Sequence, residues 1–241
     1  YFSSKQSSIR PVKQLIISGI GSFVFILLVF LQPDFGSAMI LFLTWFFLLA
    51  VAGFDKKYFF VIGMATLLAL GGLWQFSFEQ YQKERIMTFF STSPAPLEQG
   101  YNISQAIIAV GAGGITGRGI GFGSQSQLKF LPEAQNDFIF AVIAEELGLL
   151  GVFLLISFFF VFFYRCLVNV KRLENDFGIF FILGAAGLIF IEMFINIGMN
   201  IGLLPVVGIS LPFVSYGGSA IISKFAMIGI IENIIIQSKI K

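Results

Sequence analysis

Histidine is absent from the 241 residues, and cysteine occurs once, at Cys166. Without histidine the chain cannot build a Ser-His-Asp triad, a Cys-His pair or a histidine-ligated metal site. A single cysteine cannot form an internal disulfide. Charged residues make up only 12% of the chain, whereas soluble domains average about 25%. No basic patch interleaved with aromatic side chains is present, so nucleic acid is not expected as a partner.

Apolar residues dominate instead: 57% of the chain is hydrophobic, with 32 phenylalanines and a mean hydropathy of +0.91. This composition predicts an all-α polytopic membrane protein, with residues 1–241 forming a single integral membrane domain. Runs of about 20 apolar residues can cross a hydrocarbon core of about 30 Å. Six crossings are predicted, at 12–31, 35–54, 58–76, 137–164, 177–202 and 219–237. Because the chain begins with Tyr1 and shows no signal peptide, we expect it to be a piece of a longer protein.

Lysine and arginine are distributed unevenly between the two ends of these crossings. Cytoplasmic loops of membrane proteins carry the excess of both residues. The richer side holds Lys5, Arg10, Lys13, Lys56, Lys57, Arg165, Lys171, Arg172, Lys239 and Lys241, and the poorer side holds Lys83, Arg85, Arg118 and Lys129. We therefore expect both termini to be cytoplasmic and segments 32–36, 77–136 and 203–218 to lie outside.

Segment 77–136 is a large extracytoplasmic loop in this topology. Loops of this length are functional more often than passive. Within it, Ile103, Ile107 and Val110 share one helical face, which predicts a short interfacial or re-entrant helix over 101–111 on the outer leaflet. Residues 111–123 then include seven glycines and are expected to be loop. Their N–H groups, together with Arg118, could hold a phosphate, or the run could be a flexible turn.

Asp137 lies where the polar stretch that contains Gln127 turns into a long apolar run. A carboxylate at the mouth of a membrane helix is partly desolvated, which raises its pKa and suits it to act as a base. The alternative is that Asp137 caps the helix, since aspartate is a favoured N-cap residue. The spacing alone leaves both readings open.

Several ionisable residues fall inside the predicted crossings, where charge is costly and needs a partner. Glu145 lies about 12 Å below Asp137 along the helix. Glu192 and Lys224 occur at nearly matching depths in the last two crossings. We predict that Lys224 pairs with Glu192 or with Glu145.

These motifs together resemble the SEDS family (shape, elongation, division and sporulation) of membrane glycosyltransferases. The matching stretches run in order over nearly the whole chain. They are 32–36 (QPDFG), 81–86 (YQKERI), 100–105 (GYNISQ), 123–133 (GSQSQLKFLPE), 137–140 (DFIF), 145–148 (EELG), 196–199 (NIGM), 202–208 (GLLPVVG) and 211–218 (LPFVSYGG). The residue sequence of 124–133 favours the RodA (elongation) branch over the FtsW (division) branch.

The resemblance implies a fold of ten transmembrane helices, of which this chain would hold the last six. It implies lipid II as substrate, glycan-strand elongation outside the bacterial cytoplasmic membrane, and a class B penicillin-binding protein as partner. Asp137 matches the family's proposed catalytic aspartate, and Glu133 is expected to steer or share its proton. Residues expected to contact substrate are Arg85, Arg118, Gln127, Lys129 and Ser215. No protein-ligated metal is expected, although a divalent cation could accompany the diphosphate.

Two departures from the family pattern stand out. Gln135 and Asn136 replace the usual His-Thr or His-Asn before the aspartate, and Lys224 replaces a residue that is commonly neutral. Three alternatives to an elongation polymerase stay open at this point: a division (FtsW-like) polymerase, a flippase with a polar path through Glu145, Glu192 and Lys224, and a scaffold without chemistry. A flippase needs a polar route to the inner face, whereas the motifs gather at the outer end.

Overall fold

The computed structural model describes residues 11–76, 83, 87, 98–128, 130–131 and 133–240. Within these ranges the secondary structure is helical, and eight helices follow one another. They are α1 (Pro11–Phe30), α2 (Phe35–Val51), α3 (Lys56–Phe76), α4 (Glu98–Ala112), α5 (Ser124–Gln127), α6 (Ile139–Val170), α7 (Asp176–Asn200) and α8 (Gly218–Ile240). The all-α membrane fold expected from composition is confirmed.

Four of these helices, α1, α6, α7 and α8, are long and apolar enough to cross a membrane. α2 is apolar but has 17 residues, at the short end of the spanning range. α3, with 21 residues, occupies the position of the remaining expected crossing. The helices of the six predicted crossings are therefore all present.

α7 lies at the centre of the bundle and packs against α2, α4, α6 and α8. Its glycines allow α2 to approach closely: a Cβ on Gly187 would collide with the Phe47 ring, and one on Gly184 would lie 3.2 Å from Leu48. Small residues at helix contacts are the usual means of close packing in membranes. The central position of α7 explains why its polar residues reach several other segments.

α6 is not one continuous helix, because Gly148 adopts φ 65° and ψ −163°. Only glycine adopts this conformation without strain. The break releases backbone groups, and the glycine-rich loop 113–123 pairs with them. Arg118 N–H donates to the Glu145 carbonyl at 3.0 Å, and Leu149 N–H donates to the Gly114 carbonyl at 2.9 Å. Backbone groups at membrane depth need such partners, since lipid offers none.

α4 packs against α6 through small residues. Ala106 and Ala109 are fully buried and contact Phe138 and Ala141. The helix predicted over 101–111 is present within α4, and its alanines face α6, whereas Ile107 on the predicted apolar face is 45% exposed. The reason is the closeness of the two backbones: a Cβ on Gly113 would collide with the Ala144 carbonyl, so only small side chains fit between the helices.

Candidate active site

Asp137 lies two residues before α6 and is partly buried. Its backbone carbonyl accepts hydrogen bonds from Asn196 Nδ2 at 2.9 Å and from Asn200 Nδ2 at 3.0 Å. Both asparagines belong to α7 and are fully buried. A buried amide without partners is costly, so each carboxamide must keep its hydrogen bonds. The two side chains together fix the backbone of Asp137 against α7.

The N-cap of α6 is Phe138, so the reading of Asp137 as the cap residue is wrong. Phe138 offers no side-chain cap. The first turn is instead capped by Asn200, whose Oδ1 accepts from Ala141 N–H at 3.1 Å. Asn200 therefore holds the residue before the cap through its Nδ2 and the first turn of α6 through its Oδ1.

The loop 203–217 supports the same segment from another side. Ser215 Oγ donates to the Asn136 carbonyl at 2.6 Å, and Tyr216 N–H donates to the Gln135 carbonyl at 2.9 Å. Asn196 Nδ2 also donates to the Ile209 carbonyl at 2.7 Å, which ties this loop to α7. The segment that carries Asp137 is thus bound on both sides within one polar network.

Ser215 was predicted to contact substrate, and the structure gives its hydroxyl two internal partners. It donates to Asn136 and accepts from Leu211 N–H at 2.7 Å. The residue is only 4% exposed. These contacts favour a role in holding the loop in place.

The carboxyl group of Asp137 lies beside Gly208, where a Cβ would be 3.7 Å from Oδ2. Gly208 has φ 73°, so a larger residue there would be strained as well. The neighbouring Val207 carbonyl lies so close to Gly36 that a Cβ on Gly36 would collide with it. The start of α2, the loop 203–217 and the Asp137 segment therefore meet at the same end of the bundle.

Glu133 is exposed, and its carboxylate accepts a hydrogen bond from Asn136 Nδ2. Its φ of 51° is in the left-handed region, which a non-glycine residue rarely adopts. Strain of this kind is often found at functional sites. Arg85 and Lys129, both expected to contact substrate, lie outside the described residues.

The glycine-rich loop 113–123 matches neither of the two predictions, a phosphate site or a flexible turn. The N–H groups of Gly117, Arg118 and Gly119 donate to the carbonyls of Gly113, Glu145 and Glu146. These three groups cannot bind a phosphate, so that part of the phosphate-site hypothesis is wrong. The loop is not a free turn either, since α6 holds it. The Arg118 side chain is exposed and donates from Nη1 to Ser124 Oγ at 2.8 Å.

Glu145 is fully buried and binds α5. Its Oε1 accepts from Gln125 N–H at 2.9 Å, and its Oε2 accepts from Ser126 N–H at 3.2 Å. The neighbouring Glu146 is partly buried and accepts from Gln127 Nε2 at 3.3 Å. Gln127, expected to contact substrate, is thus placed beside α6 with its amide directed at a carboxylate.

Glu192 and Lys224 form the predicted intramembrane pair, with Lys224 Nζ 2.8 Å from Glu192 Oε1. Both side chains are nearly buried, at 13% and 11% exposure. Glu145, the other predicted partner of Lys224, is bound to α5. The pairing prediction is therefore confirmed for Glu192 and not for Glu145.

A metal site has no support in the described residues, where no group of three or more cysteine, aspartate or glutamate side chains could hold an ion. Whether a divalent cation accompanies the substrate stays a prediction.

Sequence reasoning missed the contribution of Asn196 and Asn200, although Asn196 belonged to a matching motif. One signal was available. Two carboxamides four residues apart in an otherwise apolar run face the same side of a helix, and polar residues inside a membrane face protein.

Comparison with known proteins agrees with this architecture. A family model described as "Cell cycle protein", FTSW_RODA_SPOVE, matches residues 1–240. The chain is 43% identical to the peptidoglycan glycosyltransferase MrdB of Escherichia coli K12 over 86% of the chain and 56% of that protein. It is 38% identical to the probable peptidoglycan glycosyltransferase FtsW of Halothiobacillus neapolitanus, over 90% of the chain and 52% of that protein.

Among solved structures, a chain from a study of polymerization and crosslinking by a peptidoglycan synthase complex aligns with a TM-score of 0.77 and 26% identity. The alignment covers 95% of this chain and 64% of that one. The chain spans little more than half the length of the two curated relatives. Since the family model covers all but the final residue, the chain belongs to the FtsW/RodA/SpoVE family of cell cycle proteins.

Proposed function

We propose that this chain carries the reactive carboxylate of a peptidoglycan glycosyltransferase, which polymerises lipid II into glycan strands at the outer face of the bacterial cytoplasmic membrane. Relatives at 43% and 38% identity bear the name peptidoglycan glycosyltransferase. The position of Asp137 supports the assignment of the reactive carboxylate to this part of the protein. Two buried asparagines bind its backbone carbonyl, which leaves little freedom in the position of the residue.

The reaction joins two lipid-linked sugars. The 4-hydroxyl oxygen of one sugar attacks the anomeric carbon of the other, and a new glycosidic C–O bond forms. The bond from that carbon to the diphosphate breaks, and the polyprenyl diphosphate leaves with the electron pair. Asp137 takes the hydroxyl proton as a general base. Fixing the base in advance lowers the barrier, because its orientation is not lost when substrate arrives.

The first test replaces Asp137 by asparagine in the full-length protein, reconstituted in lipid vesicles with purified lipid II. A general base contributes about 10²- to 10⁴-fold, so we expect glycan synthesis to fall by at least about 100-fold. The glycan ladder on a gel measures this. Thermal melting of the same preparation checks that the variant is folded, and the two hydrogen bonds from α7 to the Asp137 backbone carbonyl do not depend on the substituted group.

Asp176→Asn is the matched control, because it makes the same chemical change in the first turn of α7, at the opposite end of the bundle. It should polymerise normally. Glycan synthesis by Asp137→Asn at the rate of the unmodified protein would refute the proposal.

Elongation is the branch that we propose, with a class B penicillin-binding protein as partner and both termini in the cytoplasm. The higher identity to MrdB than to the FtsW relative supports the branch, and the likeness to a chain of a peptidoglycan synthase complex supports a partner. Expression of the full-length protein in a bacterial strain that lacks its own elongation polymerase should restore rod shape. Restored division in a strain that lacks the division polymerase, without restored shape, would favour the FtsW-like alternative.

The contacts of the intramembrane charges weigh against the flippase alternative. Glu145 is bound to α5, and Glu192 is bound to Lys224. Each charge is committed to a local partner instead of forming a polar route between the two faces. Movement of fluorescent lipid II across vesicles that contain Asp137→Asn would be the result that revives transport.

A further inference from the structure

Glu145 has no assigned role, yet its buried carboxylate accepts three hydrogen bonds. It is 0% exposed and lies three residues before the break at Gly148. Its carboxylate accepts from the N–H groups of Gln125 and Ser126 and, at 3.3 Å, from Ser124 Oγ. A charge buried at this depth is tolerated only with several hydrogen bonds. The carboxylate therefore holds the first three residues of the short helix α5.

The carboxylate is closely packed against the residue that precedes α5. A Cβ on Gly123, the residue before α5, would lie 2.6 Å from Oε2 of Glu145. Ser124 Oγ also accepts from Arg118 Nη1 at 2.8 Å, so the guanidinium reaches the carboxylate through one hydroxyl. The backbone carbonyl of Glu145 accepts from Arg118 N–H at 3.0 Å. One residue thus binds the glycine loop through its backbone and α5 through its side chain.

A short chain of contacts leads from Glu145 to the candidate base. The Gln125 carbonyl accepts from Leu131 N–H at 3.1 Å. Leu131 is 2% exposed and packs in the same cluster as Phe138. Phe138 is the N-cap of α6 and directly follows Asp137. The segment between α5 and α6 is therefore anchored at one end by Glu145 and at the other by Asn196 and Asn200.

On this basis, and resting on the proposed function, we propose that Glu145 is a positioning residue for the polymerisation reaction. It sets where α5 and residues 133–137 lie at the outer end of α6, and so where Asp137 meets the incoming sugar hydroxyl. The α7 asparagines act on the backbone of Asp137 directly, whereas Glu145 acts through α5. Loss of its charge should misplace the base without abolishing the fold or the binding of lipid II.

The test is Glu145→Gln in the full-length protein, with purified lipid II in vesicles. Glutamine keeps the size of the side chain but presents an N–H₂ group to one of the backbone donors of α5. A displacement of about 1 Å can cost about 100-fold in rate, so we expect kcat to fall at least about tenfold with KM within about twofold. Deuterium uptake over 123–131 should rise, because the N–H groups of Gln125 and Ser126 lose protection.

Glu146→Gln is the matched control, since it makes the same change one residue later, where the contacts are 3.3 to 3.5 Å long and the side chain is partly exposed. It should keep kcat within about twofold and leave deuterium uptake over 123–131 unchanged. Ser124→Ala is the second variant, because it removes one donor to Glu145 and leaves the carboxylate in place. It should lower kcat about threefold at constant KM, and it decides the matter if Glu145→Gln does not fold.

The outcomes separate this proposal from the proposed function. If Asp137→Asn is inactive while folded Glu145→Gln keeps a normal kcat, the positioning role is wrong and the polymerase assignment stands. A raised KM at normal kcat would also overturn the positioning role, because it would indicate direct binding of substrate. If Asp137→Asn polymerises normally, the proposed function itself is wrong, and the positioning role with it.

Discussion

The polar junction, by which we mean residues 113–148 together with 196–217, contrasts with the pair α1 and α2. In the junction, polar side chains bind backbone atoms of segments 59 to 79 residues away in the sequence. In the α1–α2 pair, the described contact between polar side chains is one hydrogen bond of 3.4 Å from Trp45 Nε1 to Ser18 Oγ. Much of α1 is exposed, as at Ile20 and Phe23, 62% and 61%. The contrast shows that conformational specificity is concentrated where the chemistry is proposed, while the remote helices rely on apolar contact.

The largest expected effect lies outside both regions and tests whether buried polarity matters wherever it occurs. Lys224→Met leaves Glu192 without its partner in the bundle, and breaking a buried pair costs about 3–5 kcal/mol. Thermal melting in detergent should show a clearly lower midpoint. Lys239→Met, an exposed lysine of the same helix, should leave it unchanged. The double variant Glu192→Met/Lys224→Met should recover most of the loss, and failure to recover would mean that the pair does more than balance charge.

Next in size is a change that forces the two backbones of the junction apart. Gly113→Ala would bring a Cβ against the Ala144 carbonyl, which cannot move away without disturbing α6. Overpacking costs about 1–3 kcal/mol, and we expect the upper end of that range. Gly111→Ala, two residues earlier in α4, meets nothing within 4 Å and should be neutral or slightly stabilising. Equal melting midpoints for the two variants would contradict the close approach of α4 and α6.

Asn196→Ala should have a similar or smaller effect on stability but a larger effect on activity. It removes the donor to the Ile209 carbonyl and one of two donors to Asp137. A buried acceptor left without a partner costs about 1–3 kcal/mol. Polymerisation of lipid II should fall at least about tenfold, because the base is less firmly placed. The control is Asn169→Ala, because the Asn169 amide donates within its own helix, to the Arg165 carbonyl. A similar loss of activity in that variant would show that the effect of Asn196→Ala does not come from its contact with Asp137.

The smallest effect is expected in the α1–α2 pair. Ser18→Ala removes the long hydrogen bond to Trp45, and a single neutral hydrogen bond contributes about 0.5–1.5 kcal/mol. At 3.4 Å we expect the lower end, and no change in glycan synthesis. A shift in the melting midpoint as large as that of Asn196→Ala would erase the contrast between the two regions.

The sequence predicted the fold well because long apolar runs report membrane crossings directly. It also placed Asp137 at the mouth of α6, since the change from polar to apolar residues marks that boundary. The contact between Glu145 and α5 could not be predicted from the sequence. The loop that leads into α5 is bound to the backbone at the break at Gly148, and a glycine inside an apolar run gives no sign of such a break, because it is usually a tolerated helix residue. The contact of Asn196 and Asn200 with Asp137 was hidden for a similar reason, since Asp137 lies about 60 residues away in the sequence and is brought close only by packing.

The break at Gly148 also accounts for a difference in exposure between neighbouring turns of α6. Residues four apart share a helical face, yet Glu145 is fully buried while Leu149 is 61% exposed. The glycine resets the rotational phase of α6, so the outer segment turns its carboxylate inward and the inner segment starts its own lipid-facing stripe at Leu149. α6 therefore has two separate patterns of buried and exposed residues, one on each side of Gly148. Whether a substitution in α6 falls on a buried or an exposed face depends on which side of Gly148 it lies.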